Sequence, residues 1–209
     1  MAIELVTTAG VFSLDGEDFD VVNNIWLVGD DREVLVLDAA HDHRPIVEAV
    51  AGREVRTIVL THGHNDHINA AVALAEAVDA PIALHPDDTM LWSAVYPDRL
   101  PDLDLAEGDV FAAGGHRLTV AHTPGHSPGC CCFVDADAAA LFSGDTLFCG
   151  GPGATGRSYS DRPTILRSIR TRLLVLPDET VVHTGHGAST TIGAERPALE
   201  QLIADESGD

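Results

Sequence analysis

The stretch Thr61-His62-Gly63-His64-Asn65-Asp66-His67 decides the fold and the chemistry of this chain. Three imidazoles and one carboxylate lie within it. An apolar run precedes it and a helix-like run follows from Ile68, which predicts a strand, a histidine-rich loop and a helix. We expect His62 and His64, two apart in an extended loop, to face one metal ion. Asp66 and His67, displaced along the turn, are expected to face a neighbouring ion.

Further predicted strands also end in a loop that carries histidine or aspartate. Loops at strand ends form one edge of an α/β protein, where sites gather. Imidazole nitrogens suit zinc, iron or manganese, and carboxylates fill the harder positions. The alternative, an array of surface or capping histidines, does not account for so many ligand-type residues on matching loops. The predicted ligands are His62, His64 and His126 for the first ion, Asp66, His67 and His186 for the second, and Asp145 as a bridge through its two oxygens.

The remaining polar candidates are weaker. Asp38 ends a strand and can accept the free N–H of a ligating imidazole. The pair His41 and His43 stands alone, on a loop expected to be exposed near the cleft, and its role stays open. His183 is expected in the core or behind a ligand. His85 and His116 are expected at the surface.

Local signals place the secondary structure. Strands are predicted at 3–7, 21–28, 33–37, 56–60, 81–84, 117–121, 130–134, 139–142 and 180–183. Helices are predicted at 45–51, from 68 through about 78, and at 87–95, 162–174 and 195–204. Asn65 or Asp66 is expected to cap the second helix and Asp161 the fourth. The β-then-α rhythm occurs twice, which favours two similar β-rich halves within one domain, residues 1–209.

Composition excludes several classes of protein. The formal net charge is −21, from 12 arginines and no lysine against 33 acidic residues. Such a surface repels phosphate backbones, so we expect no nucleic-acid partner. No apolar run approaches the roughly 20 residues of a membrane span, and the first residues lack the basic region of a signal peptide, so a cytoplasmic location is expected. Cys130 to Cys132 are expected to be buried apolar residues, and the role of Cys149 stays open.

The motifs resemble those of the metallo-β-lactamase-fold superfamily, and within it the short form of the glyoxalase II-like hydrolases. The resemblance covers nearly the whole chain. It rests on residues 61–67, on Thr123-Pro124-Gly125-His126-Ser127, on Gly144-Asp145-Thr146-Leu147-Phe148 and on Gly185-His186-Gly187. It implies an α/β fold, an αββα sandwich of two mixed β-sheets flanked by helices. It also implies a dinuclear site at one edge, usually of zinc and sometimes of iron or manganese.

The resemblance further implies a hydrolase that cleaves a thioester of a low-molecular-weight thiol. A hydroxide that bridges the two ions is the expected nucleophile, and Asp66 is the expected catalytic residue because it ligates and orients that hydroxide. The sequence Gly156-Arg157-Ser158-Tyr159 stands where the family has a Gly-Lys-x-Tyr stretch that grips glutathione. Arg157 and Tyr159 are therefore the predicted substrate-binding residues. The alternative is that Arg157 forms a surface ion pair and that Tyr159 packs.

Other functions stay open at this stage. The arginine bias is typical of a GC-rich genome, which makes a mycothiol thioester an alternative to a glutathione thioester. A persulfide dioxygenase of the same fold would use one iron on the counterparts of His62, His126 and Asp145. A metal-binding or regulatory domain without activity, and hydrolysis of a β-lactam or lactone, are further alternatives. The acidic composition disfavours RNA processing.

Overall fold

Two mixed β-sheets of six strands each form the centre of the computed structural model, which describes residues 2–207. The first sheet contains, in spatial order, β1 (Ala2–Leu14), β2 (Glu17–Gly29), β3 (Glu33–Leu37), β4 (Glu54–Val59), β5 (Ile82–Leu84) and β6 (Leu103–Asp104). The second contains β14 (Thr190–Thr191), β13 (Val181–Thr184), β10 (Ala140–Gly144), β9 (Cys131–Asp135), β8 (His116–His122) and β7 (Val110–Ala113). A small hairpin joins β11 (Leu147–Phe148) to β12 (Gly151–Pro152).

Helices cover the outer face of each sheet. They are α1 (His43–Val50), α2 (Asn65–Ile68), α3 (Ala71–Val78), α4 (Thr89–Val95), α5 (Arg162–Ser168) and α6 (Ile192–Ser207), with a 3₁₀ turn at Pro86–Asp88 and a π turn at Ile169–Leu173. Within residues 2–207, none of the helices has the length and apolar character needed to cross a bilayer.

The apolar side chains form three layers, and β3 shows how one strand serves two of them. Val34 and Val36 pack with residues of α1 and α3 on the outer face. Leu35 and Leu37 point the other way and pack between the sheets against residues such as Phe133. A third cluster joins the second sheet to α5 and α6. Successive side chains of a strand point to opposite faces of its sheet, so each sheet packs against helices on one face and against the other sheet on the other face. The predicted αββα sandwich is confirmed.

Strand directions bring the polar loops to one edge of this sandwich. β3 and β4 are parallel, with Leu37 opposite Val59. β10 and β13 are also parallel. β8 runs in the same direction as β10, because both strands are antiparallel to β9, which lies between them. The loops after β3, β4, β8, β10 and β13 consequently lie at the same edge, as expected from the sequence.

Two local predictions differ from the structure. The helix expected from Ile68 is split into α2 and α3, and no side chain caps α2, so the predicted cap by Asn65 or Asp66 is wrong. The Asn65 side chain instead bonds to β1, accepting from the amide of Ser13 at 2.9 Å and donating to the carbonyl of Val11 at 2.9 Å. The predicted cap by Asp161 is confirmed by a 2.8 Å bond from the amide of Thr164.

The hairpin of β1 and β2 is longer than expected. The two strands pair from Ala2 opposite Gly29 to Leu14 opposite Glu17. Asp15 and Gly16 form its turn, both with positive φ, a conformation that Asp-Gly pairs favour in tight hairpins. This hairpin extends beside the edge that carries the polar loops, and Phe12 on it faces them.

Candidate metal centre

The first predicted ligand set, His62, His64 and His126, forms a compact group that we call the first trio. The Nδ1 atom of His64 lies 3.0 Å from Nε2 of His62 and 3.0 Å from Nε2 of His126. All three side chains are buried. Four ligand atoms at about 2.05 Å around a zinc ion are about 3.3 Å apart, so the first trio has the spacing of such a set.

The second predicted set, Asp66, His67 and His186, forms the second trio. The Nε2 atoms of His67 and His186 are 3.1 Å apart. The Oδ2 atom of Asp66 lies 3.3 Å from Nε2 of His186 and 3.5 Å from Nε2 of His67. The loop after β4 thus supplies two residues to each trio, as its spacing predicts.

Asp145 lies between the two trios. Its Oδ1 atom is 3.3 Å from Nε2 of His67, and its Oδ2 atom is 3.6 Å from Nε2 of His126 and 3.5 Å from Nε2 of His186. Oδ1 is buried without a hydrogen-bond partner among the described residues. Gly185 makes room for this carboxylate, because a Cβ there would lie 2.3 Å from Oδ1.

Hydrogen bonds to the outer ring nitrogens fix the direction of the inner lone pairs. Nδ1 of His126 donates to the carbonyl of Ala154 at 2.8 Å, and Nδ1 of His186 donates to the carbonyl of Val22 at 2.8 Å. In a neutral imidazole the other nitrogen is then unprotonated, so its lone pair faces the neighbouring ligand atoms. Lone pairs about 3 Å apart repel one another unless a proton or a metal cation lies between them. The donor set therefore fits divalent cations.

Asp38 connects the two trios from behind. Its Oδ2 accepts from Nδ1 of His67 at 2.9 Å, so it contacts the imidazole of a predicted ligand as expected. The same oxygen accepts from the hydroxyl of Thr61 at 2.9 Å, and Oδ1 accepts from the Thr61 amide at 2.7 Å. The Thr61 hydroxyl lies 3.1 Å from Nδ1 of His62. One buried carboxylate thus orients a member of each trio.

The two trios differ in their protonation. Burial lowers the pKa of His62 well below its usual range and that of His64 to about 3, so both rings are neutral at pH 7. Burial acts in the same direction on His67 and His186, but adjacent carboxylates, Asp145 first among them, outweigh it. The pKa of His67 is raised well above its usual range and that of His186 to about 9.

Sequence reasoning missed Asp88, which ties two ligand-bearing loops together. Its Oδ2 accepts from the amide of Gly63 at 2.7 Å and from the hydroxyl of Ser127 at 2.6 Å, and its Oδ1 accepts from the amide of Gly129 at 2.6 Å. Gly63 lies between His62 and His64, and Ser127 follows His126. The carboxylate is fully buried, so all three bonds form away from water. In the sequence, nothing distinguishes Asp88 from an ordinary residue near the start of a helix.

Asn23 is a second residue that sequence reasoning missed, and its contacts explain the position of His41. The Asn23 amide nitrogen donates to Oδ2 of Asp66 at 3.0 Å, and its oxygen lies 2.8 Å from Nε2 of His41. His41 is thus half-buried behind Asp66 and is not part of either trio. His43 begins α1 and lies in none of the ligand clusters of the described chain.

A further cluster of His85, Asp87 and His122 lies away from the two trios. The rings of His85 and His122 stack, with their centroids 4.0 Å apart and an angle of 12° between the ring planes. The lone pairs of the two rings therefore lie in nearly parallel planes. Nδ1 of His85 accepts from the Asp87 amide, and Nε2 of His122 donates to the carbonyl of Pro128. This is the geometry of a packed pair. The prediction that His85 lies at the surface is wrong, because the stacking buries it.

His116 was also expected at the surface, and that prediction is wrong. Its Nδ1 forms a 2.6 Å bond with the buried carboxylate of Asp135. His183 packs against the rings of Trp26 and Phe142, with centroids 4.4 and 4.9 Å away, in agreement with the expected core position.

The cysteines take no part in either trio. Cys130, Cys131 and Cys132 are buried, as expected, and burial raises the pKa of each thiol. Cys149 is exposed and unpaired in the described part of the chain.

A cavity of about 370 Å³ opens above the trios. Apolar residues form much of its wall, and members of both trios form its floor. The lining residues are Phe12, Val21, Val22, His64, Asp66, His126, Asp145, Phe148, Ala154 and His186.

The predicted substrate-binding residues do not line this cavity. Arg157 donates to Oε2 of Glu17 at 2.7 Å, and its guanidinium carbon lies 4.5 Å from the ring centroid of Phe19. The ion pair that the sequence left as the alternative is therefore present. Tyr159 has positive φ and is 53% exposed, so it does not pack. Its contact with substrate stays a prediction.

The fold and the site together define a protein in which two β-sheets carry a cluster of metal-ligand residues at one edge. The family model described as the metallo-beta-lactamase superfamily matches residues 19–186. The chain belongs to this superfamily, whose members are in general metal-dependent hydrolases, and the resemblance found in the sequence is confirmed.

Three known proteins are informative relatives. A hydroxyacylglutathione hydrolase, GloC, of Haemophilus influenzae is 31% identical over 188 residues, covering 82% of this chain and 87% of that protein. The crystal structure of TTHA1623 in a di-iron-bound form is 35% identical, covers 83% of this chain and 92% of that one, and has a TM-score of 0.74. The crystal structure of the BLEG-1 B3 metallo-beta-lactamase is 29% identical, covers 91% of this chain and 97% of that one, and has a TM-score of 0.77. The names of these relatives do not state one common activity, so membership of the superfamily alone does not specify the substrate.

Replacement Asp88→Asn is expected to weaken zinc binding at the first trio by about tenfold or more. The reason is that the NH₂ group of asparagine takes the place of one of the two carboxylate oxygens that accept hydrogen bonds from three buried donors. Competition with a chromophoric chelator measures the affinity. The matched control is Asp135→Asn, a buried carboxylate at the other edge, which should lower the melting temperature without changing zinc affinity. Wild-type affinity in Asp88→Asn would contradict the positioning role.

Zinc binding to the metal-free protein at pH 7 should release about two protons, because His67 and His186 have pKa values above 7 while His62 and His64 are already neutral. The release should fall as the pH rises through about 9, where His186 loses its proton. Calorimetric titration in buffers of different ionisation enthalpy counts the protons. Binding without proton release would contradict the assigned protonation states.

Proposed function

We propose that this protein is a dinuclear metal-dependent hydrolase that cleaves a thioester of a low-molecular-weight thiol. The observation that carries the proposal is the presence of two complete ligand trios with Asp145 between them. The first trio would hold one ion and the second trio the other. Zinc is the proposed metal, and the di-iron form of TTHA1623 supports iron as an alternative.

Bound divalent ions would supply a Lewis acid for the substrate carbonyl and would lower the pKa of water, so that water can attack at neutral pH. Among residues 2–207, the cavity lining contains no serine, threonine, cysteine or lysine that could compete as a nucleophile. Cys130 and its two neighbours are buried thiols with raised pKa, and Cys149 is not among the cavity-lining residues.

Asp66 is the proposed catalytic residue of the chain. Burial opposes its ionisation, but His67, the hydrogen bond from His186 and the amide of Asn23 lower the pKa of Asp66 to about 2. It is therefore a carboxylate at neutral pH and acts as a hydrogen-bond acceptor. Because Asn23 fixes one of its oxygens, Asp66 can orient an attacking water toward the cavity.

The cavity walls favour an acyl substrate. Phe12, Val21, Val22 and Phe148 form an apolar lining in which an acyl group excludes water from the ligands. A thiolate is a weakly basic leaving group, so its departure requires little protonation and no separate acid side chain. The similarity to the hydroxyacylglutathione hydrolase of Haemophilus influenzae supports a thioester as substrate. Glutathione and mycothiol both stay candidates for the thiol, and the cytoplasm stays the predicted location.

The test combines elemental analysis with thiol release from lactoyl thioesters. Purified protein should contain two metal ions per chain and release free thiol. Asp145→Ala should lower kcat by about 100-fold or more and reduce metal content, because the residue that spans both trios is lost. Asp178→Ala, an exposed carboxylate at the opposite end of β13, is the matched control and should leave both unchanged.

Two outcomes would overturn the proposal. Full thioesterase activity in Asp145→Ala would exclude the assigned site. One iron per chain with oxygen uptake on a thiol persulfide would instead identify the dioxygenase alternative, for which His62, His126 and Asp145 would suffice.

A further inference from the structure

Apart from the two metal ions that the trios would hold for the thioester group, the described lining of the cavity offers no fixed cation to a negatively charged carrier. Within residues 2–207, its lining contains no arginine, and the whole chain has no lysine. The only nitrogen-bearing side chains in the wall are His64, His126 and His186, which are all members of the trios. A carboxylate or phosphate on the substrate would therefore have to find its partner at the rim of the cavity.

Arg157 lies near the rim of the cavity, and an acidic partner already occupies its guanidinium. Arg157 stands three residues after Ala154, which lines the cavity, and it pairs with Glu17 at 2.7 Å while lying over the ring of Phe19. Phe19 is directly opposite the cavity-lining Phe12 in the hairpin. The guanidinium thus joins the hairpin of β1 and β2 to the loop that follows Ala154.

A second bond strengthens this contact between hairpin and loop. The amide of Ser158 donates to Oδ2 of Asp15 at 3.0 Å. Hydrogen bonding from Ser158, from its side chain first and its amide second, lowers the pKa of the Asp15 carboxyl. The Ser158 amide therefore faces a carboxylate of the chain itself. We call the two contacts, Arg157 with Glu17 and Ser158 with Asp15, the rim clasp.

The hairpin side of the rim is strongly acidic. Asp15, Glu17, Asp18 and Asp20 are all exposed within six residues, against the single guanidinium of Arg157. They add to a formal net charge of −21 for the whole chain. The field at the cavity mouth is therefore negative and repels anions over about one Debye length, about 8 Å at 0.15 M salt and about 30 Å at 0.01 M.

We propose that the cavity selects thioesters whose thiol carrier is uncharged and discriminates against anionic carriers. The inference rests on the proposed thioesterase function. The apolar walls accept the acyl group, the acidic rim repels carboxylates and phosphates, and the rim clasp withholds Arg157, which could otherwise attract them. The carrier is thus expected to be recognised by neutral hydrogen-bonding groups.

The experiment compares lactoyl thioesters of N-acetylcysteamine, glutathione and coenzyme A with metal-loaded enzyme. The first carrier is uncharged, the second has two carboxylates and one ammonium group, and the third has several phosphate charges. At about 0.01 M salt, kcat/KM should fall in that order, by about tenfold or more from first to last. The differences should shrink at about 0.15 M salt, where the rim charges are screened.

A pair of variants assigns the effect to the rim. Glu17→Gln removes a rim carboxylate and releases Arg157, so it should raise the ratio of kcat/KM for the glutathione thioester to that for the uncharged thioester by about threefold or more. Glu54→Gln removes a carboxylate from an equivalent exposed pair with Arg56, at the far end of β4, and should leave the ratio unchanged.

The outcomes separate the two proposals. Hydrolysis of all three thioesters without charge preference or salt dependence would overturn the selectivity and leave the thioesterase function standing. A preference of the wild-type enzyme for the glutathione thioester over the uncharged thioester would also overturn it, since Arg157 would then leave Glu17 to bind substrate. Hydrolysis of none of the three would overturn the thioesterase function and the selectivity together.

Discussion

The convergence of seven ligand-type side chains at one edge of the two sheets is the constraint on which the rest of this structure depends. The outer nitrogens of His67, His126 and His186 are bonded to acceptors of the protein, which points their inner nitrogens at one another. In the metal-free protein the protons of His67 and His186 face the carboxylates of Asp66 and Asp145, and bound cations would take the place of those protons. The fold maintains this convergence because the ligand loops come from both sheets and are connected by buried hydrogen bonds. Metal binding and the packing of the two sheets are therefore coupled.

Three polar residues outside the trios provide that connection. Asp38 orients His67 and holds Thr61 at the end of β4. Asp88 joins the loop after β4 to the loop after β8, and Asn23 reaches from β2 to Asp66. Each is fully or almost fully buried, so the loss of one partner leaves unsatisfied groups away from water. The precision of the ligand positions depends on these residues as much as on the ligands.

Much of the site was predictable from the sequence because its signals are local. Four of the ligand-type residues fall in one loop, and His126, Asp145 and His186 each follow a recognisable strand. Strand directions then bring them to the same edge. The Asp15–Gly16 turn signal was also present, although the polar residues around it hid the length of the hairpin.

The missed features all depend on contacts between distant parts of the chain. Asp88 acts on Gly129, 41 residues away, and Asn23 acts on Asp66, 43 residues away. Neither has a periodicity or motif that distinguishes it from a helix-start aspartate or a strand asparagine. The burial of His85 and His116 likewise depends on His122 and Asp135, partners that belong to other elements.

The central claim is that the two trios hold two cations at adjacent positions. Anomalous diffraction from crystals of the metal-loaded protein, collected at the absorption edge of the metal found by elemental analysis, tests it most directly. The account predicts two anomalous peaks, one in contact with His62, His64 and His126 and the other with Asp66, His67 and His186, with Asp145 beside both. A single peak, or none at the second trio under saturating metal, would contradict it.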